Sequence, residues 1–188
     1  MSLRRFVSLI AIFGAIAPAQ AAADSGTTIA AAARRQIGVT RVYDASYAAI
    51  RYPGGDVAKE RGVCADVVIR AFRGAGVDLQ QEVHRDMQAH FTVYPRIWGL
   101  SAPDANIDHR RVLNLMTFFE RHGRSVGGEF RAGDVVAWRL PSGQLHIGVI
   151  AAERAAGGVR PLVIHNIGYG TQEEDVLYAF AIIGHYRW

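Results

Sequence analysis

Apolar residues recur at Val67, Val68, Ala71, Phe72 and Ala75, the spacing of one stripe on an amphipathic helix. That helix is expected to begin at Cys64 and to stop before Gly76. An earlier helix is expected over 26–38, with a Thr cap in Gly26-Thr27-Thr28 and Gly38 as its stop. Leu79, Val83 and Met87, four apart, predict a helix within Val77 to His90. Val112, Leu115, Met116 and Phe119 share a face of a further helix that Asp108 is placed to cap and Gly123 to end. Asp44 to Ile50 is ambiguous, Tyr52 to Asp56 is a Pro-Gly-Gly loop, and Tyr94 to Asn106 is irregular. After the turn Arg131-Ala132-Gly133-Asp134 the pattern changes. Val135–Leu140, Leu145–Ala151 and Pro161–Ile167 read as strands, and Val176–Trp188 holds one or two more. Helices followed by a meander of short strands predict an α+β fold with N-terminal helices on a mostly antiparallel sheet.

The 188 residues suffice for one domain with a real core, and half of them are hydrophobic. Residues 1–23 read as a secretory signal: Arg4-Arg5, then a Phe6–Ala17 apolar run, then a small-x-small site near Ala21. The run is short of the ~20 residues that span a bilayer. Cleavage leaves 24–188 as a single domain with a helical and loop insertion at about 79–123, located in the periplasm or secreted, with no membrane span. Losing Arg4 and Arg5 takes the formal charge from +4 to about +2. The remaining basic residues are scattered, so no nucleic-acid footprint is read. A single cysteine cannot form an internal disulfide, and export places it where thiols are oxidised.

At the first turn of its helix, Cys64 meets unpaired N–H groups and the positive end of the dipole, both favouring thiolate. Asp66 in the same turn opposes it, so the net effect is open. A cysteine nucleophile needs a base and usually a third group to orient that base. His146 opens one strand and His165 closes the next. If these strands are neighbours, both rings can share a face near one end. Gly148, on the same side as His146, leaves room for something such as the Cys64 helix end. With one cysteine and no His-x-x-x-His spacing, no zinc site of the usual Cys-rich kind is expected.

Cys64 at a helix start, Gly133-Asp134-Val135-Val136-Ala137-Trp138, His146-Ile147-Gly148-Val149-Ile150 and Val163-Ile164-His165, in that order, resemble the NlpC-like cysteine peptidases of bacterial cell walls. The blocks Gly62–Ala71, Asn106–Val112, His146–Ile150 and Ile164–Gly168 also resemble one uncharacterised bacterial domain family placed in that superfamily, over about residues 28–188. The resemblance implies a papain-like fold, with Cys64 as nucleophile, His146 as base and His165 as orienting residue. It implies an amide-cleaving hydrolase for a peptidoglycan stem peptide or similar small peptide, with no metal or cofactor. Val63-Cys64-Ala65-Asp66 stands where such enzymes usually read Asp-Cys-Ser-Gly, which makes Asp66 a candidate substrate contact. In the insertion, His109 and Arg110 lie in a run whose arginines could grip a carboxylate beside Trp98; the alternative is a helix cap at Asp108 with solvated arginines. Tyr52 before the Gly54-Gly55 loop and Asn166 beside His165 complete the candidate substrate contacts. A non-catalytic cell-wall-binding module and an acyl transferase using the same thiol are the alternatives. Nothing in the sequence sets the oligomeric state.

Overall fold

The stripe that starts at Cys64 forms α2 (Cys64–Gly74), and it is buried on nearly every side because two layers close on it. The computed structural model describes residues 25–188; the expected signal at 1–23 lies outside the described residues. On one flank lies α1 (Ser25–Arg34), which ends four residues before Gly38 in a tightening turn and not at Gly38 itself. The two helices approach closely at Gly74, where a Cβ would stand 2.5 Å from that of Ala32. On the other flank, α3 (Leu79–His90) and α4 (Val112–Arg121) contribute Leu79, Val83, Met87, Leu115, Phe118 and Phe119, all at most 2 % exposed. Each such side chain contributes about 1.5–3 kcal/mol on burial. The segment expected as an insertion is therefore part of the main core.

Two helix starts differ from expectation. Asp78 caps α3 by accepting from the Gln80 N–H at 3.1 Å, so that helix begins at Leu79. Asp108 does not cap α4. It opens a 3₁₀ turn (Asp108–Arg110) and turns back to accept the Asp104 N–H, leaving Arg111 at the cap position with no side-chain capping bond.

The sheet contains β3 (Val135–Arg139), β4 (Leu145–Arg154), β5 (Pro161–His165), β6 (Gln172–Glu174) and β7 (Ala181–Tyr186), in the order β6-β5-β4-β3-β7, all antiparallel. The α+β class with helices against an antiparallel sheet is the one expected. The meander covers only β3 to β6, however. β7 crosses to the far edge and pairs Val135 with Tyr186. A two-residue parallel pair, β1 (Val42–Tyr43) with β2 (Arg61–Gly62), precedes α2 and is too short to leave a pattern in the sequence. Alternation gives the sheet two faces. Val135, Ala137, Ile147, Val149, Ala151 and Ile164 meet the helices. Val136, Trp138, Ile150 and Val163 meet Leu177, Phe130 and Phe180 on the other side. Among the described residues no helix is long and apolar enough to cross a membrane.

Candidate functional site

The N-terminus of α2 is held from two directions. Asp66 accepts the Val63 N–H at 2.6 Å, closing the first turn from below. Asn166, directly after β5, donates its amide to the Gly62 carbonyl at 3.0 Å. The chain two residues before Cys64 is thus tied to the end of the strand that carries His165.

Cys64 itself is 4 % exposed, and its thiol receives the Ile147 main-chain N–H. The reason lies in the sheet. The main-chain groups of Ile150 point to the β3 side, where its N–H reaches Asp134, so those of Ile147 point to the β5 side. The β4–β5 ladder pairs Val149 with Ile164 but extends no further towards the start of β4. The thiol thus meets β4 beyond the end of its ladder with β5, at Ile147, the residue next in sequence to His146. Burial pushes the Cys64 thiol up to about 11, and the Asp66 charge adds to this. The N–H groups of Ile147, Ala65 and Cys64 pull the other way and are outweighed. The competition that the sequence leaves open is decided by burial, and the thiol rests protonated.

His146 and His165 share the sheet face opposite the helices, as the alternation requires. Nε2 of His146 and Nδ1 of His165 are 2.8 Å apart, and both residues are at most 2 % exposed. The indole of Trp138, paired across from His146, stacks on its ring at 5.5 Å between centroids. With Nε2 engaged by His165, Nδ1 is the ring atom of His146 left for any further partner. Burial first, then the neighbouring His165, pulls His146 down to about 3. Burial also lowers His165, against an opposing pull from Glu174, whose Oε2 lies 2.9 Å from Nε2. That contact has the distance of a hydrogen bond but not its alignment, and Nε2 is buried without an aligned acceptor. Both rings and the thiol are therefore neutral at rest. The space beside Gly148 serves a different purpose from the one expected: a Cβ there would meet Val163 Cγ1 at 2.9 Å and His165 Cβ at 3.1 Å, not the Cys64 helix.

A cavity of about 670 Å³ opens against His146 and is walled by Tyr43, Ile97, Trp98, Arg139, Gln144 and Ile167 among others. Of the expected substrate contacts, Trp98 alone lines it. Tyr52 packs edge-on against His84, at 5.0 Å between rings, outside the cavity. Asp66 and Arg110 are spent on each other: Nε to Oδ1 is 2.9 Å, Nη2 to Oδ2 is 3.0 Å, and both side chains are 3 % exposed. Arg110 also donates to the Ser46 and Asp44 carbonyls, so four of its five N–H donors are spent inside the fold. His109 is buried, which drives it down to about 4, and it has no open face. Asn166 is fully buried as the tie to Gly62. The arginine beside Trp98 is Arg111, with its guanidinium 4.2 Å above the indole ring.

Tyr43 is the residue that sequence reasoning misses. Pairing of Tyr43 with Gly62 brings its ring to the cavity, close enough for the Cys64 charge to act on its hydroxyl. Burial foremost, then Cys64 and Asp66, raises that hydroxyl to about 12. A lone tyrosine just before the ambiguous stretch Asp44 to Ile50 carries no signal of this, because the strand that places it has two residues. Among the described residues no group of three or more His, Cys, Asp or Glu side chains is arranged to hold a metal ion.

Comparison with known proteins gives three findings. A family described as "Domain of unknown function (DUF1287)" matches residues 30–188. The protein YijF of Escherichia coli (strain K12) is 53 % identical over 174 residues, covering 90 % of this chain and 84 % of that protein. The structure of NlpC1 from Trichomonas vaginalis superposes with a TM-score of 0.49 at 13 % identity. It covers 90 % of this chain, which spans about half of that one (46 %).

Proposed function

From the premise that the chain belongs to the DUF1287 family, we propose that it is an exported cysteine hydrolase that cleaves an amide bond in peptidoglycan or a related cell-wall peptide. The observation that carries this reading is the thiol seated on the N–H of Ile147, the residue next in sequence to His146, whose ring is joined to that of His165 at 2.8 Å. The motif resemblance to NlpC-like peptidases supplies the substrate class, and the leader-like residues 1–23 supply the compartment.

In this reading the peptide lies in the cavity against Trp98 and Tyr43. Sγ of Cys64 attacks the carbonyl carbon as Nδ1 of His146 takes the thiol proton, so that attack and ionisation occur together. Main-chain N–H groups at the start of α2 receive the developing oxyanion. Collapse breaks the C–N bond, and His146 returns its proton to the leaving amine. A water, deprotonated by His146, then releases the acid and restores the thiol. His165 holds the ring of His146 through Nε2 throughout.

One observation favours a second reading, a binding module for the same fragments: the thiol is buried and rests protonated. A single experiment separates the two. Purified sacculi are incubated with the wild type and with Cys64→Ala, and the soluble fragments are analysed by mass. The hydrolase releases peptide fragments that Cys64→Ala does not, with a loss of at least ~10³-fold. Sacculi left intact by the wild type but bound equally by both proteins would overturn the hydrolase and support the module.

A further inference from the structure

Nε2 of His165 is buried with no aligned acceptor, although Glu174 Oε2 stands 2.9 Å from it. Glu174 lies on β6, opposite Val163, on the same sheet face as His165 and His146. Its neighbour Glu173 points the other way, to Arg34 on α1 at 3.2 Å. The Glu174 side chain is 40 % exposed, so it has the freedom to swing onto the N–H axis. We propose that Glu174 is a positioning residue that sets the tautomer of both imidazoles and so the basicity of His146 at Nδ1.

The argument runs along one line of atoms. An ionised carboxylate only accepts hydrogen bonds. Facing Nε2 of His165, it selects the form with the proton on that nitrogen. Nδ1 of His165 is then an acceptor, and across 2.8 Å it must take the proton of His146 Nε2. His146 is left with a bare Nδ1, the form that can remove a thiol proton. Without the carboxylate the reverse arrangement competes: Nδ1–H of His165 donates to Nε2 of His146, and His146 carries its proton on Nδ1, where it cannot act as base. The carboxylate also faces any positive charge that the pair acquires while His146 holds the thiol proton. No sequence motif marks Glu174, since β6 is a three-residue edge strand.

The consequence for rate rests on the hydrolase reading, but the tautomers can be observed without it. Imidazole-labelled full-length protein is examined by long-range ¹H–¹⁵N correlation spectra as wild type, Glu174→Gln, Glu174→Ala and Glu174→Lys. The wild type shows the Nε2–H form on both His146 and His165, Gln preserves it through its carbonyl oxygen, and Lys shifts both rings towards Nδ1–H. Where substrate turnover is measured, kcat falls in Ala and Lys with KM little changed, by between about tenfold and the ~10⁴-fold that a wrong tautomer costs a serine-protease triad. Tautomers unchanged in both Ala and Lys would overturn the proposal, provided that resonances away from β6 are unmoved. If Lys unfolds the sheet, the Ala and Gln spectra decide alone: a shift in Ala but not in Gln supports the role, and no shift in Ala refutes it. Wild-type protein that cuts nothing would refute the hydrolase and leave the tautomer result standing.

Discussion

Removing the Arg110 guanidinium should weaken the start of α2 and destabilise the fold. Asp66 and Arg110 are joined by two hydrogen bonds of 2.9 and 3.0 Å, with 3 % of either side chain exposed. In Arg110→Met the Asp66 carboxylate keeps only the Val63 N–H, and the Ser46 and Asp44 carbonyls lose their donor. Breaking a buried pair on one side costs about 3–5 kcal/mol, because the remaining charge is left uncompensated in low dielectric. For a domain of this size each kcal/mol moves Tm by about 2–4 °C, so the variant should melt roughly 6–20 °C lower. Urea titration at neutral pH, followed by far-UV circular dichroism, gives the free energy directly. The double variant Asp66→Ala/Arg110→Met removes both charges and should lose less than the two single losses combined, by 1 kcal/mol or more. An Arg110→Met protein within about 1 kcal/mol of wild type would refute the structural assignment of this pair. It would return Arg110 to the list of residues free to grip a substrate.

Three further outcomes follow from the geometry. Alkylation of Cys64 by iodoacetamide at pH 7 should be slower than that of a free thiol and should climb about tenfold per pH unit towards the thiol's raised value near 11; a rate at or above that of free cysteine would show an ionised, open thiol. Stability should fall on acidification from about pH 6.5 towards pH 4 and below, because His146 (about 3) and His109 (about 4) stay neutral when folded and take up protons when unfolded; His109→Gln should flatten this slope, and an unchanged slope in urea titrations across pH 4–7 would refute it. Gly148→Ala places a methyl 2.9 Å from Val163 and 3.1 Å from His165; it should cost about 1–3 kcal/mol and cut hydrolysis through displacement of His165, and a variant with wild-type stability and rate would show that the strands have room to yield.

The helix-then-sheet order, the start of α2 and the starts of β3 to β5 are legible in the sequence because each rests on a pattern over five or more residues. What is missed rests on contacts distant in the chain. β7 is recognisable as a strand, but nothing local says that it pairs with β3 and not with its predecessor. Asp108 is a good cap by composition, yet its carboxylate turns back to the Asp104 N–H. Asp66, His109, Arg110 and Asn166 read as polar groups available to a ligand. The fold buries all four, and the partners that satisfy Asp66, Arg110 and Asn166 lie 44 to 104 residues away. Tyr43 and Glu174 stand beside Cys64 and His165 because of strands two and three residues long, below the length at which a pattern can be seen.

The burial that makes Cys64 a poor thiolate has a use that an exposed, ionised thiol would lack. Oxidation, like nucleophilic attack, proceeds through the thiolate and depends on access. A lone cysteine exported to an oxidising compartment, as proposed here, survives longest when protonated and covered. Reactivity must then be created at the moment of use, by a base that reaches the sulfur. In the proposed hydrolase the neutral His146 is that base, provided that its bare nitrogen turns to the thiol. The carboxylate of Glu174, 2.9 Å from the far nitrogen of His165, is what biases the pair to that form. The Ile147 N–H on β4, with Asn166 tying Gly62 to the end of β5, holds the sulfur in place without requiring a charged resting state.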